Sequence, residues 1–289
     1  MAEVHSAWLT AGANGDVATM RLLKSRFPEW LDLQRQVRFD TLDSPSSCSW
    51  SDFGLNTLGA SALHTSAWEG QLDIMEFLLE SGQGPDTDND NGLSPMMMAI
   101  MRLNLMTMRC VFRDGVVVRR NLVVDVSVRE MKGMCSLWLT LLCRLSVQCR
   151  DELQESVTLV ISIIKLLLRF GACIDAQDQN GRTALHCSTS DDAFEVAKYL
   201  VDANAKIDAR DQDGKTPLHY CIEEGGLLVT NLLLSCCASI DVVNKDGVSP
   251  LLLVVQRADV TVLQLFLNHH QWVVTPQRLE FSSTVMMLA

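Results

Sequence analysis

Between residues 208 and 241 the apolar positions fall into two clusters, divided by glycine and bounded by polar residues. Leu218, Cys221 and Ile222 stand at i, i+3 and i+4, which places them on one face of a helix. Gly225-Gly226 stops that helix. Val229, Leu232, Leu233 and Leu234 build a second, more apolar helix, and Ser239 to Asp246 returns as a polar hairpin. The start of the unit is equally marked by Gly214, Thr216 and Pro217. Glycine takes the left-handed backbone of a tight turn, threonine is a good N-cap, and proline suits the first helical position. The pattern predicts a helix-turn-helix unit entered through a tight polar turn.

The unit recurs. Gly59-Ala60-Ser61-Ala62-Leu63-His64 is followed 33 residues later by Gly92-Leu93-Ser94-Pro95-Met96-Met97. Gly181-Arg182-Thr183-Ala184-Leu185-His186 is followed at the same step by Gly214-Lys215-Thr216-Pro217-Leu218-His219 and by Gly247-Val248-Ser249-Pro250-Leu251-Leu252. A fixed period of this size means one supersecondary unit copied along the chain, each copy packing on its neighbours. The motif Gly-x-Thr-Pro-Leu-His resembles the ankyrin repeat. The resemblance implies an all-α ankyrin-repeat solenoid of helix-turn-helix units with short β-hairpin loops. It also implies hairpins that project sideways and first helices that line a concave binding face.

Departures from the period divide the chain. Residues 1–25 read as a divergent N-terminal repeat that turns at Asn14-Gly15-Asp16. From Gly15 to Gly70 is 55 residues, 22 more than one period, so residues 26–56 form an insertion or finger, Ser-rich around Ser44 to Ser51. Residues 57–122 carry repeats two and three, the third with Met96-Met97-Met98-Ala99 in place of the usual motif. From Gly92 to Gly181 is 89 residues. Residues 123–178 are therefore expected to hold one atypical repeat with an insertion, built from helices near 131–147 and 153–170 joined by a polar loop over 148–154. Residues 179–277 carry repeats five to seven, which makes about seven in all. Residues 278–289 look like the start of a truncated further repeat, since Thr284 to Ala289 resembles Ser94 to Ala99. The chain is thus expected to be a fragment or isoform of a longer protein.

Composition narrows the partners. Hydrophobic residues make up 48% and charged residues 20%, which suits an ordered fold, and the net charge of −11 argues against nucleic acid or an anionic membrane. The acid concentrates in the hairpins, at Asp86, Asp88, Asp90, Asp175, Asp178, Asp208, Asp211, Asp213, Asp241 and Asp246. That predicts a negative edge favouring a protein partner with a basic surface, although solvated turns give the same pattern. The longest apolar run, Val157 to Leu168, has 12 residues and contains Lys165, so no membrane span is expected. The ten cysteines sit mostly in apolar helical contexts, and the first residues, without a basic region leading into a long apolar run, are not expected to be a signal peptide. They read as buried thiols of a reducing compartment, cytoplasmic or nuclear.

Candidate chemistry is sparse. His64, His186 and His219 recur at one repeat position, separated by stacked helices about 8–10 Å per layer. The resemblance implies a structural His that bonds the threonine of its motif, not a metal ligand. Asp86 to Gly92 mimics a calcium loop, but Asn91 and Met97 stand where an EF-hand needs Gly and Glu. Cys135, Cys143 and Cys149 lack zinc spacing, and adjacent Cys236-Cys237 cannot easily chelate one zinc. No catalytic residue, cofactor or metal is assigned, and no enzyme activity is expected. Leu139 to Val147 looks like the elongin-binding helix of SOCS boxes, without the cullin-contact motif that follows it there.

The ankyrin resemblance places variable contacts at the hairpin tips and near the ends of the first helices. Here these are Trp68, Glu69, Met101, Arg102, Arg182, Ser190, Asp191, Lys215, Glu223, Glu224, Val248, Gln256 and Arg257. Trp68 stands out as an interface anchor, with packing against the finger as its alternative. The implied function is non-catalytic protein recognition as a scaffold or adaptor. The alternatives are the substrate-recognition subunit of a ubiquitin ligase and the regulatory ankyrin region of a larger enzyme truncated here.

Overall fold

The computed structural model describes residues 2–27, 60–112 and 136–269. Most of the expected finger and all of residues 278–289 lie outside the described residues. The chain divides into two compact units, Met1–Ala172 and Cys173–Ala289.

The first unit contains α1 (Ala2–Asn14), α2 (Val17–Arg26), α3 (Ala62–Glu69), α4 (Leu72–Glu80), α5 (Pro95–Phe112) and α6 (Ser136–Arg169). Helices α1, α3 and α5 pack in succession, and α2, α4 and α6 pair with them in a second layer. Leu9, Met20, Leu63, Ile74, Leu78, Leu103 and Ile163 are buried between the layers. Each such side chain contributes roughly 1.5–3 kcal/mol. The degenerate Met-rich motif survives because Met97, Met98 and Ile100 are all buried there.

The second unit contains α7 (Ala184–Cys187), α8 (Phe194–Asp202), α9 (Pro217–Glu224), α10 (Leu227–Ser235), α11 (Pro250–Arg257) and α12 (Val260–Asn268). Its inner row is α7, α9 and α11, its outer row α8, α10 and α12. Val196, Leu200, Leu218, Val229, Leu233, Val254, Val262 and Phe266 fill the space between.

One turn is repeated through both units. Gly92, Gly181, Gly214 and Gly247 take φ values from 71° to 77°. Three residues earlier, the side chains of Asn89, Asp178, Asp211 and Asn244 accept backbone N–H groups, as in Leu93 to Asn89 at 2.9 Å and Lys215 to Asp211 at 2.7 Å. Among the described residues these hairpins are turns and not strands. They still touch edge to edge: Gln212 N–H donates to the Asn180 carbonyl at 2.7 Å, and Lys245 N–H to the Asp213 carbonyl at 2.8 Å.

The two helices expected near 131–147 and 153–170 are one. Helix α6 runs unbroken for 34 residues through the polar stretch expected to be a loop. Gln148 to Gln154 contains Arg, Glu, Gln and Leu but neither Gly nor Pro, so nothing in it opposes a helix. Helix α6 packs against α5 and α4, so α5 and α6 together form the third helical hairpin of the first unit. The long step from Gly92 to Gly181 is absorbed partly by lengthened helices: α5 has 18 residues where α3, α9 and α11 have 8.

Helix α7 errs in the other direction and has only 4 residues. Ser188 and Thr189 follow it, and their hydroxyls compete for backbone groups. Ser188 donates to the Leu185 carbonyl at 3.2 Å. A short 3-10 turn, Asp191–Ala193, then leads into α8.

Candidate functional site

The recurring histidines are structural ties. Ser61, Thr183 and Thr216 donate their backbone N–H to Nδ1 of His64, His186 and His219 at 3.1, 3.1 and 3.0 Å. Nδ1 therefore accepts and the ring proton lies on Nε2. That proton is donated to the carbonyls of Leu93, Lys215 and Val248 at 2.9, 3.3 and 3.2 Å. Each acceptor lies just before the N-cap of the next repeat. Both ring nitrogens are thus used, one within its repeat and one across to its neighbour. Burial pushes all three rings below their usual pKa, His64 to about 4. Met97 and Leu252 occupy this position in two other repeats and cannot make the tie.

In the second unit, three of the expected contact residues gather around a fourth side chain. Arg182 pairs with Asp178 at 2.8 Å, and Lys215 with Glu223 at 2.7 Å. Lys215 Nζ also lies 5.4 Å from the centroid of the Tyr220 ring. The Tyr220 hydroxyl donates to Asp211 Oδ2 at 2.8 Å, and its ring meets His186 edge-on at 5.6 Å. Burial, the bond to Asp211 and the surrounding carboxylates raise the Tyr220 pKa, against a lowering pull from the Arg182 charge. Tyr220 was absent from the expected set. Its signal was an aromatic directly after the motif histidine, where the preceding repeat has Cys187.

Other expected residues serve the stacking of repeats. Thr189 donates to the Glu224 carboxylate at 2.6 Å, and the Leu228 N–H donates to Asp191 at 2.8 Å. Partial burial of the carboxyl, with the charge of Glu223, raises the Glu224 pKa, although the residue as a whole is exposed. The corners approach so closely that a Cβ on Gly226 would sit 2.1 Å from the Thr189 carbonyl oxygen. Ser190 is half-buried beside them, and the half-buried Val248 gives its carbonyl to His219. Gln256 and Arg257 are exposed at the end of α11.

In the first unit Trp68 and Met101 are half-buried and pack on Leu93, Met97 and Met98. Arg102 donates to the Trp68 carbonyl, and burial depresses its pKa while the half-buried Glu69 opposes the shift. Leu159 of α6 covers this corner, 2.4 Å from where a Cβ on Gly70 would stand. A cavity of about 10 Å³ remains beside Arg102, room for one water and no larger ligand. Helix α6 also carries Leu139 to Val147, whose side chains lie outside the described residues.

The acidic hairpins are partly turned inward. Asp178 and Asp211 cap their own turns. Asp175 and Asp208 reach across to the Lys206 and Ser239 N–H groups at 2.8 and 2.9 Å. The thiols also differ from expectation. Cys221 is buried and burial pushes Cys187 up to about 12, so both are inert. Cys173 and Cys237, however, are exposed, because they sit in the loops after the outer helices. Among the described residues no helix is long and apolar enough to cross a membrane, and no three His, Cys, Asp or Glu side chains are placed to hold a metal ion.

Helix pairs capped alike, joined by one kind of turn and stacked row on row, define a helical-hairpin repeat protein. Residues 158–242 match the family model for ankyrin repeats in three copies, and residues 58–90 match that for a single ankyrin repeat. Both segments are ankyrin repeats, modules that generally mediate protein–protein interaction and are typically non-catalytic.

Proposed function

We propose that this chain is a non-catalytic scaffold or adaptor whose second unit holds a partner protein on the surface around Tyr220. The arrangement of Tyr220 carries this reading. Its ring is half-exposed and flanked by Lys215, while Asp211 fixes its hydroxyl and Arg182 and Lys215 are held by ion pairs. Side chains already fixed lose little entropy on binding, and tyrosine and arginine are the residue types that dominate interface energetics. Gln256 and Arg257 extend this set by one repeat. A partner with a basic surface fits the carboxylate of Asp213, exposed at the hairpin tip.

The test is capture of the partner by the full chain. Tyr220→Ala is expected to weaken capture about tenfold, the equivalent of about 1.4 kcal/mol, while the chain still unfolds cooperatively. Capture should also fall as salt rises, because exposed charges are screened. Undiminished capture by a folded Tyr220→Ala chain would remove this site.

A further inference from the structure

The loops after α4, α6, α8 and α10 each turn on one left-handed residue. Gly82, Gly171, Asn204 and Cys237 hold that place, with φ of 96°, 88°, 65° and 63°. Glycine and asparagine reach this backbone readily, and a cysteine does so only against the steric preference of its Cβ. A Cβ at Gly82 or Gly171 would meet no atom within 4 Å, so a side chain here points into open space. Cys237 is exposed, and its neighbour Cys236, the C-cap of α10, is half-exposed with Sγ 3.8 Å from the Ser235 hydroxyl. Packing does not explain an exposed cysteine in this open position beside a second thiol.

Bond lengths choose among the uses. Adjacent Cα atoms lie about 3.8 Å apart, below the roughly 4.4–6.8 Å that disulfides span, so direct closure is strained. One bridging atom with two bonds of about 2.3 Å to sulfur relaxes that strain. Zinc needs four ligands, and no third one is at hand among the described residues. A pyramidal centre that takes two thiolates and keeps one group of its own does fit. We propose that Cys236-Cys237 is a dithiol capture site for trivalent, thiophilic centres of the organoarsenical kind. With phenylarsonous acid, two As–S bonds form and two As–O bonds break. Each thiol proton leaves with a hydroxide as water, and no oxidation state changes.

The experiment incubates the full chain with phenylarsonous acid under excess glutathione, followed by intact mass and peptide mapping. One phenylarsenic group bridging residues 236 and 237 is expected, retained against glutathione and released by dithiothreitol. Cys237→Gly, which restores the residue type of Gly171, and Cys236→Ser should each cut retention on the order of 100-fold, because the second bond is no longer intramolecular. Cys173→Ser should change nothing at this site. If glutathione strips the original chain as readily as folded Cys237→Gly, or if the bridged peptide maps elsewhere, the proposal fails.

Discussion

In the second unit α9 and α11 have 8 residues and α10 and α12 have 9, whereas in the first α5 has 18 and α6 has 34. The turns do not share this difference. Asn89 in the first unit and Asp211 in the second accept N–H groups from the same relative positions, and Gly92 and Gly214 take the same left-handed backbone. His64 and His219 tie their repeats to the next through the same two ring nitrogens. Repeats in this chain are therefore kept in step by their turns and caps, while the helices between are free to lengthen.

The sharpest way to break that comparison is a proline in α6. Gln154 is exposed in the stretch that the sequence pattern assigns to a loop. Gln154→Pro is expected to cost about 3 kcal/mol or more, the penalty of proline inside a helix. Urea unfolding would show it, and no loss would restore the loop. The next largest effect separates two adjacent glycines. Gly226→Ala drives a Cβ against the Thr189 carbonyl and is expected to cost about 2–3 kcal/mol. Gly225→Ala meets open space and should cost only about 1 kcal/mol, for its φ of 77°.

His64→Ala strands the Ser61 N–H and the Leu93 carbonyl in the core, at about 1–3 kcal/mol. The same tie makes stability depend on pH. The folded pKa lies below the ordinary value of 6.5, so the neutral ring is favoured by folding and its contribution is complete above that pH. It is lost as pH falls from 6.5 towards the folded value of about 4, up to about 3 kcal/mol for His64 at about 1.36 kcal/mol per pH unit. Denaturation midpoints across that window check the sign, and His64→Ala should flatten the slope. The smallest effect is a gain. Ala258 closes α11 with φ 52° where α9 has Gly225, so Ala258→Gly should stabilise the second unit by about 0.5 kcal/mol, visible as a raised midpoint.

Most of this frame was legible because turn residues are read one position at a time. Gly214, Thr216 and Pro217 each have one conformational job, which makes the turn and the cap legible together; the bond of His219 to Thr216 follows from the resemblance, and its second bond, across to the Val248 carbonyl, does not. Helix length has no such marker. Gln148 to Gln154 looked like a loop because it is polar, yet its residues favour helix and no glycine or proline stops them. The opposite happened at Ser188-Thr189, where hydroxyl competition ended α7 early without a glycine to announce it. The candidate contacts were less legible for a related reason. Period alone gives the position of Asp191, Glu224, Trp68 and Arg102 but not which way they are committed, and each turned towards a neighbouring repeat or an adjacent corner. Beyond its place after the motif histidine, Tyr220 has no marker of its own, because its placement depends on Asp211, Lys215 and His186 meeting it from other positions in the fold.

The surface around Tyr220 is the claim on which the functional account stands, and photo-crosslinking addresses it directly. p-Benzoylphenylalanine would be placed in the full chain at Tyr220 and, separately, at Lys198, an exposed position on the outer helix α8. The account predicts a partner adduct from position 220 and none from position 198. An adduct from 198 with none from 220 would contradict it.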